Sequence, residues 1–430
     1  MRLIKTLASF PLVILLFSGC SANNEGAYAN SQDVAGTEKS STFSIVVIPD
    51  TQNYIDYTHQ KNKGFAVNGR DIFLAQMKDI AKRGKANNGN LVFVTSVGDV
   101  WQHQTLDIDP GHKERGFSID RDPRLKGLIE VTSKTIDIEI PIAIEGYKIL
   151  ENAQIPFGVV PGNHDYDAAW FENPNQAHIG GLTNYLSVFA ANGAFFKDRE
   201  WYIDSFKNGT NSAQKFKVGN YTFLHFSLEM QAGDDVLEWV QSVISANANL
   251  PTILSTHDYL NAKGERKPDP GMDLAQADPS KHNSAEQLWE KIIFNNDQIF
   301  LVLSGHQLGQ ATRVDLNSKG HKVYQLMANY QARGQIGIDA GQGLEKSGQA
   351  TGLGDGWYRV LEFHLDARIP ELRVSTYSSH YKHYSRNFPM YANLYKGREQ
   401  PDLSDSQFLA QDDFKILLTG FRARFSDFSH

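Results

Sequence analysis

Short apolar segments that alternate with longer amphipathic ones constrain most strongly what this chain can fold into. The apolar segments are rich in β-branched residues and bounded by turn residues, which predicts buried β-strands. The predicted strands are residues 43–48, 91–97, 157–160, 221–227, 252–255, 299–303, 322–327, 357–364 and 372–377. Helical periodicity occurs at residues 71–85, 144–152, 236–246 and 285–294. Helices that alternate with buried strands predict a fold built of α/β layers.

Polar side chains follow directly after several of the predicted strands. In chain order they are Asp50, Asp99, Asn163 with His164, His257 and His306. Ligands of open α/β sheets bind outside the carboxyl ends of the strands. Carboxylates, imidazoles and an amide oxygen that meet there form a set of metal ligands. A single Gly-Asp is usually a turn, and a single apolar-flanked histidine is usually a core residue. The prediction of a metal site therefore rests on the combination.

In order and type, these residues resemble the motifs of the calcineurin-like metallophosphoesterase superfamily. Its pattern runs Asp-x-His, Gly-Asp, Gly-Asn-His-Asp/Glu, a lone His and Gly-His-x-His. The matching segments are Asp50-Thr51-Gln52, Gly98-Asp99, Gly162-Asn163-His164-Asp165, His257 and Gly305-His306-Gln307-Leu308. The resemblance spans about residues 43–365. It implies an α/β fold of four layers, a β-sandwich of two mixed sheets flanked by helices.

The resemblance also implies a set of metal ligands. Asp99 would bridge two metal ions, while Asn163, His257 and His306 would complete one of the two sites. Asp50 would belong to the other site. One or two divalent ions, of Mn, Zn, Fe or Mg, would activate a water molecule for attack on phosphorus.

The catalytic roles that the resemblance implies fall on His164 and Asp99. Asp99 acts through the ions that it bridges. His164 matches the imidazole that donates a proton to the leaving oxygen or contacts the phosphoryl group. The implied reaction is hydrolysis of a phosphate monoester or diester, and the implied partner is a small phosphorylated substrate.

The sequence departs from the family pattern at three positions. Gln52 and Leu308 stand where the family has histidines, and both belong to the same site as Asp50. That site then keeps the carboxylates of Asp50 and Asp99 and the amide oxygen of Gln52, and oxygen ligands favour Mn²⁺ or Mg²⁺ over Zn²⁺. Gln102 stands where phosphatases often place an Asp or Asn that orients the catalytic histidine. Without it, Asp165 or the backbone would hold His164.

Two further residues are candidates for substrate binding. His103 follows Gln102 where some family members place a phosphate-binding Arg, and the alternative is a solvated loop histidine. Residues 329–333 follow the strand after His306 and would line the site. Within them, Arg333 could contact phosphate with two parallel hydrogen bonds. The alternative is an ordinary surface arginine.

The first residues resemble a bacterial lipoprotein signal. A basic start and a short apolar run end in Ser18-Gly19-Cys20, and Cys20 is the sole cysteine. We expect a signal peptide at residues 1–19, a lipid on Cys20 and a flexible tether at 20–42, with a plain secretory peptide as the alternative. The phosphoesterase domain would span residues 43–386, and a C-terminal extension over 387–430 would pack on it. Within that extension, residues 413–423 are predicted to form a short helix.

These expectations combine into a leading function and an alternative. The leading one is an extracytoplasmic, lipid-anchored phosphoesterase on a bacterial membrane. The alternative is a lipoprotein that binds a phosphorylated ligand or a glycan without turnover, because Gln52 and Leu308 replace family histidines. The formal net charge of −7 argues against a dedicated nucleic-acid surface. The sequence gives no prediction of oligomeric state.

Overall fold

A computed structural model describes residues 42–105, 108–117, 131–171 and 176–425. The strands of the described residues are β1 (Thr42–Ile48), β2 (Leu91–Ser96), β3 (Phe157–Gly158), β4 (Ala168–Phe171), β5 (Ala177–Gly180), β6 (Tyr202–Phe206), β7 (Asn211–Val218), β8 (Tyr221–Ser227), β9 (Thr252–Ser255), β10 (Ile299–Ser304), β11 (Gly309–Leu316), β12 (Lys322–Asn329), β13 (Trp357–His364), β14 (Glu371–Ser378), β15 (His383–Tyr384) and β16 (Phe414–Leu417). Cys20, the predicted signal peptide and most of the predicted tether lie outside the described residues.

The α-helices are mostly short. They are α1 (Gln52–Ile55), α2 (Gly69–Ala81), α3 (Pro110–Glu114), α4 (Ile140–Asn152), α5 (Thr183–Phe189), α6 (Asp234–Ala246), α7 (Leu274–Ala277), α8 (Ala285–Leu288), α9 (Gln335–Asp339), α10 (Tyr391–Glu399), α11 (Asp405–Ala410) and α12 (Phe421–Arg424). Among the described residues, none of these helices has both the length and the apolar composition needed to cross a membrane.

The strands form two large mixed sheets and a separate hairpin of β4 and β5. The first sheet has the order β15-β14-β13-β1-β2-β3, and β16 also pairs with β14. The second has the order β11-β12-β10-β9-β8-β7-β6. The strands β1, β2 and β3 are parallel neighbours in the first sheet, as are β8, β9, β10 and β12 in the second. Their carboxyl ends therefore lie together at one edge of each sheet.

The layers are visible in the alternation of side chains along β1. Ile45 and Val47 belong to an apolar cluster that includes residues of both sheets. The intervening Val46 and Ile48 pack instead with Phe73 of α2, on the outer face of the first sheet. Residues of α6 and α8 cover the outer face of the second sheet in the same way. This arrangement confirms the predicted four-layer sandwich of two mixed sheets flanked by helices.

The structure corrects the prediction for residues 413–423. They do not form one helix, because residues 414–417 are a strand and a helix begins only at Phe421. Ile416 pairs with Leu372 of β14 and is buried in the inter-sheet core, while its neighbours Lys415 and Leu417 are exposed. Pairing with an edge strand distant in sequence, rather than local helical preference, fixes this segment.

Candidate metal centre

The carboxyl ends of the parallel strands bring four predicted ligands into one cluster. The Nε2 atom of His257 lies 3.0 Å from Asn163 Oδ1, 3.1 Å from His306 Nδ1 and 3.2 Å from Asp99 Oδ1. The ligand atoms of Asp99, His257 and His306 all lie within 4.8 Å of one another. Each of these residues lies shortly beyond the end of a different strand, as the sequence predicts. The four strands are β2, β3, β9 and β10.

The hydrogen bonds of His257 show that this cluster fits a cation. Its Nδ1 atom donates to the Val97 carbonyl oxygen at 2.7 Å, which leaves the Nε2 lone pair directed at the other ligands. Nε2 therefore faces the oxygens of Asp99 and Asn163, which accept hydrogen bonds rather than donate them. His306 presents its Nδ1 atom to the same point, 3.1 Å from His257 Nε2. A set of lone pairs that converge without protons is what a divalent ion requires.

The electrostatics of the cluster also call for positive charge. Burial lowers the pKa of His257, but the carboxylates of Asp99 and Asp50 outweigh it and raise this pKa to about 10, so a proton on Nε2 takes the place that a metal ion would fill. Burial raises the pKa of Asp99, yet the imidazoles of His257 and His164 bring it well below its usual range. The carboxylate of Asp99 thus stays ionised in a buried position, which is favourable only beside a cation or an imidazolium.

The backbone is strained at two of the ligands. Asp99 has φ of +52° and His306 has φ of +63°, a left-handed conformation that residues other than glycine adopt at a cost. Close approach also requires glycine at position 162, because a Cβ atom there would overlap the Asp99 backbone nitrogen and its Oδ1 atom. Strain and close packing of this kind hold the ligand side chains in one arrangement.

The remaining predicted ligands, Asp50 and Gln52, lie beside the cluster. Gln52 Nε2 donates to Asp99 Oδ2 at 3.0 Å, and among the described residues its buried Oε1 atom has no partner. That amide oxygen is free to bind a cation next to Asp99. Burial raises the pKa of Asp50 well above its usual range, although the nearby His257 opposes the effect. Asp50 and Gln52 thus both offer oxygen atoms beside the cluster, and their place in a second metal site stays a prediction.

Asn329 belongs to the segment 329–333 that the sequence predicts to line the site, although the sequence gives this residue no individual role. Its Nδ2 atom donates to Asp50 Oδ2 at 2.7 Å and to the His306 carbonyl oxygen at 2.6 Å. The His306 backbone N–H also donates to Asp50, at 3.1 Å. Asn329 ends β12, the parallel neighbour of β10, so the rule that polar residues follow strands could have found it.

His164 lies next to the cluster but is held by the backbone. Its N–H donates to Asp99 Oδ1 at 3.0 Å, and its Nδ1 atom donates to the Gln102 carbonyl oxygen at 2.7 Å. Asp165 does not hold the ring, because its carboxylate accepts the backbone N–H groups of Val100 and Gly162, each at 2.8 Å. Of the two groups that the sequence offered for holding His164, Asp165 and the backbone, the backbone holds the ring.

Comparison with known proteins agrees with this geometry. A family profile described as calcineurin-like phosphoesterase matches residues 43–310. The chain belongs to the calcineurin-like phosphoesterase family. It is also 24% identical over 240 residues to "Uncharacterized protein YvnB" of Bacillus subtilis (strain 168). That match covers 54% of this chain and 15% of the relative, so the chain spans only a small part of the relative's length.

Within this calcineurin-like phosphoesterase, His103 is not the solvated histidine considered as an alternative. Its side chain is buried, and Nδ1 lies 2.6 Å from Glu139 Oε1. Its ring also lies against Tyr57, with 5.0 Å between the ring centroids. The structure thus pairs His103 with a carboxylate on another segment, and nothing in this placement supports the predicted contact with phosphate.

Arg333 is not a surface residue either. Its guanidinium is buried and binds both oxygens of Glu399, with Nε at 2.7 Å and Nη2 at 2.8 Å. Its Nη1 atom donates to the hydroxyl of Tyr391 at 2.7 Å. These partners belong to α10 of the C-terminal extension, so the charge of Arg333 is compensated inside the protein. The predicted bidentate contact with phosphate would need this buried ion pair to break.

Proposed function

We propose that this protein is a metal-dependent phosphoesterase that hydrolyses phosphate monoesters or diesters. The observation that carries the proposal is the convergence of Asp99, Asn163, His257 and His306 around one point. Divalent ions held by these residues would polarise the phosphoryl group and lower the pKa of a water molecule. Membership of the calcineurin-like phosphoesterase family supports the same reaction class.

In this proposal the protein residues orient the ions and move one proton. The Val97 carbonyl fixes the ring of His257, so that Nε2 points at the centre. The Gln102 carbonyl accepts Nδ1–H of His164, which leaves Nε2 of His164 to carry the proton for the leaving oxygen. Asp99 connects the two, because it lies beside His257 and accepts the backbone N–H of His164. Proton donation to a leaving oxygen typically contributes about 10²–10⁴-fold to rate.

The alternative is a protein of the same fold that binds a phosphorylated ligand without turnover. The absence of the two family histidines, at Gln52 and Leu308, motivates it. Against it stands the buried Oε1 atom of Gln52, which lacks a hydrogen-bond partner among the described residues. Such groups are costly unless a ligand or an ion satisfies them.

A substrate panel separates the two functions. Purified protein is treated with a chelator and then supplied with Mn²⁺, Zn²⁺ or Mg²⁺, and aryl phosphate monoesters and diesters are offered. We expect hydrolysis that is lost with the chelator and restored by metal, with Mn²⁺ the most effective because oxygen donors surround the second site. Binding of a phosphorylated ligand with no hydrolysis under any metal would support the alternative instead.

For location, we propose that the protein is extracytoplasmic and anchored to a bacterial membrane by lipid on Cys20. The support is the Ser18-Gly19-Cys20 junction after a short apolar run. Cys20→Ala should leave the precursor unprocessed and release no lipid-modified form. Mass spectrometry of the mature N-terminus measures this, and a wild-type N-terminus without lipid would reject the anchor while leaving the catalytic proposal intact.

A further inference from the structure

A wide π-helical turn, Thr135–Glu139, precedes α4 and faces the segment that holds His164. π-Helical turns are rare and often occur at functional sites. Thr135 and Glu139 are both fully buried, which is unusual for a glutamate. Glu139 accepts the backbone N–H groups of residues 102 and 103, and Thr135 donates to the carbonyl oxygen of residue 103, so the turn presents its two buried polar groups to this one segment.

Glu139 accepts hydrogen bonds from several donors of that segment. Its Oε2 atom accepts the backbone N–H of His103 at 3.0 Å and that of Gln102 at 3.2 Å. Its Oε1 atom accepts Nδ1–H of His103 at 2.6 Å and the backbone N–H of Tyr57 at 3.1 Å. Thr135 Oγ1 adds a bond to the His103 carbonyl oxygen at 3.0 Å.

One peptide group connects this carboxylate to the histidine beside the metal centre. The N–H of His103 and the C=O of Gln102 belong to the same planar peptide unit and point in opposite directions. Glu139 holds the N–H side, while the carbonyl oxygen accepts Nδ1–H of His164 at 2.7 Å. A carboxylate on the N–H side also polarises the peptide and strengthens its carbonyl as an acceptor.

We infer that Glu139 is a positioning residue for His164, acting through the Gln102–His103 peptide. This inference deepens the proposed function and rests on it. Gln102 stands where related phosphatases often place an Asp or Asn that orients the catalytic histidine. Here the carboxylate of Glu139 orients His164 instead, through the peptide group that lies between them. The role of Glu139 is to keep Nδ1 of His164 bonded and Nε2 directed to the substrate.

The same residues have a second reading, because ligand atoms of Asp56, His103 and Glu139 lie within 4.8 Å of one another. We assign the cluster to positioning rather than to a metal, since both oxygens of Glu139 already accept backbone N–H groups. Asp56 Oδ1 is likewise bound by the N–H and the hydroxyl of Thr58. A metal ion here is one outcome of the test below, and it would overturn the assignment.

The main variant is Glu139→Gln, which replaces one accepting oxygen by an amide group that cannot accept. The matched control is Glu145→Gln on α4, because Glu145 is exposed and, within the described part of the chain, pairs with Arg70 alone at the surface. Rates are measured for an aryl and an alkyl phosphate ester, in the wild-type and the His164→Ala backgrounds. We expect a fall in kcat of about 10–100-fold for the alkyl ester, with little change in KM. The loss should be smaller for the aryl ester, whose leaving oxygen needs no proton.

The double-mutant cycle is the readout that a merely structural role would not reproduce. If Glu139 acts through His164, Glu139→Gln should cause no further loss once His164 is alanine. Additive losses, or equal losses on both esters, would overturn the inference. A fall of one metal ion per chain in Glu139→Gln would make the cluster a metal site instead. If Glu139→Gln does not fold, Thr135→Val removes the hydrogen bond to the carbonyl oxygen of His103, in the adjoining peptide, and should act in the same direction, more weakly.

A measurement without turnover separates this inference from the proposed function. In the wild type, Nδ1–H of His164 should be seen by ¹⁵N NMR of labelled histidine as a slowly exchanging donor. In Glu139→Gln that proton should exchange faster, while Glu145→Gln should match the wild type. If the wild type hydrolyses no ester, the proposed function fails, and this exchange result still decides whether Glu139 orders His164. Unchanged exchange would overturn the inference.

Discussion

Among single residues, His164 is the one whose role the surrounding contacts define most narrowly. Its Nδ1 atom donates to the Gln102 carbonyl oxygen, and its backbone N–H donates to Asp99. In the proposed function it is not a metal ligand. His164→Ala should therefore keep the bound metal and lose rate by about 10²–10⁴-fold, as expected for a general acid. The loss should be smaller for aryl esters than for alkyl esters, because a good leaving oxygen needs no proton.

Metal content and rates for both esters, in wild type and variant, check this prediction. His321→Ala is the matched control, since His321 is half-exposed and its Nδ1 atom pairs with Asp297 at 2.8 Å. Equal losses on both esters would remove the proton-donor role and leave phosphate binding. Loss of metal from His164→Ala would make His164 a ligand.

Residues that lie just after a strand can be located from the sequence, because the apolar run that precedes them is visible in the sequence itself. His257 and His306 directly follow apolar runs, and the structure brings them together as predicted. The partners of Arg333 and His103 could not be predicted in this way. Glu399 lies 66 residues from Arg333 and Glu139 lies 36 from His103, and only the tertiary fold brings each pair together.

At the scale of elements, the predicted strands are present, and one of the strands that the sequence does not predict, β7, contains buried polar residues. β7 was missed because Ser212 and Gln214 interrupt its apolar pattern, although both are buried. Gln214 is satisfied within the sheet, where its Oε1 atom accepts from His225 Nδ1 at 2.7 Å. A polar residue paired across strands looks like a loop residue when the sequence is read alone. The helix predicted at 71–85 is also shorter, and ends at Ala81.

His225 on β8 gives an element-scale prediction about pH. Burial in the core between the sheets lowers its pKa to about 3, so the folded protein keeps the ring neutral. The unfolded chain takes up a proton near pH 6.5. Stability is therefore full above pH 6.5 and falls as the pH drops from 6.5 towards 3. At pH 5 the loss from this one group is about 2 kcal/mol.

Urea unfolding of wild type and His225→Gln between pH 7 and pH 5 measures this effect. The variant is expected to be less stable at pH 7, because Gln214 and Ser255 each lose the hydrogen bond that they share with the ring of His225. Its free energy of unfolding should nevertheless change less with pH than that of the wild type. His321→Gln, a half-exposed control, should follow the wild type. Parallel pH dependences for wild type and His225→Gln would contradict the buried neutral ring.

At the scale of the whole molecule, the C-terminal extension is tied to the loop beside the metal centre. Asp412 accepts Arg359 Nη2 at 2.7 Å and the Tyr330 hydroxyl at 2.6 Å, and Glu399 pairs with Arg333. Tyr330 directly follows Asn329, which holds Asp50. Removing one partner of such a buried pair is strongly destabilising, so residues of the extension support the site indirectly. The boundary at residue 386 itself stays a prediction.

Both sheets contribute ligands to the metal centre. The first sheet supplies Asp99 and Asn163 after β2 and β3, and the second supplies His257 and His306 after β9 and β10. The cluster exists only when the two sheets are packed as described. A cation bound there would stabilise the folded state, since an unfolded chain does not bring these ligands together.

The most direct test is the metal content of the purified full-length protein and of His257→Ala, with His321→Ala as the control. His257 contacts each of the other three ligands, so its loss should empty the site. We predict at least one divalent ion per chain in the wild type and in His321→Ala, and none at this site in His257→Ala. Hydrolysis should fall by orders of magnitude with the ion, while circular dichroism shows a folded chain. A wild-type protein that is free of metal yet hydrolyses phosphate esters in the presence of chelator would contradict the account.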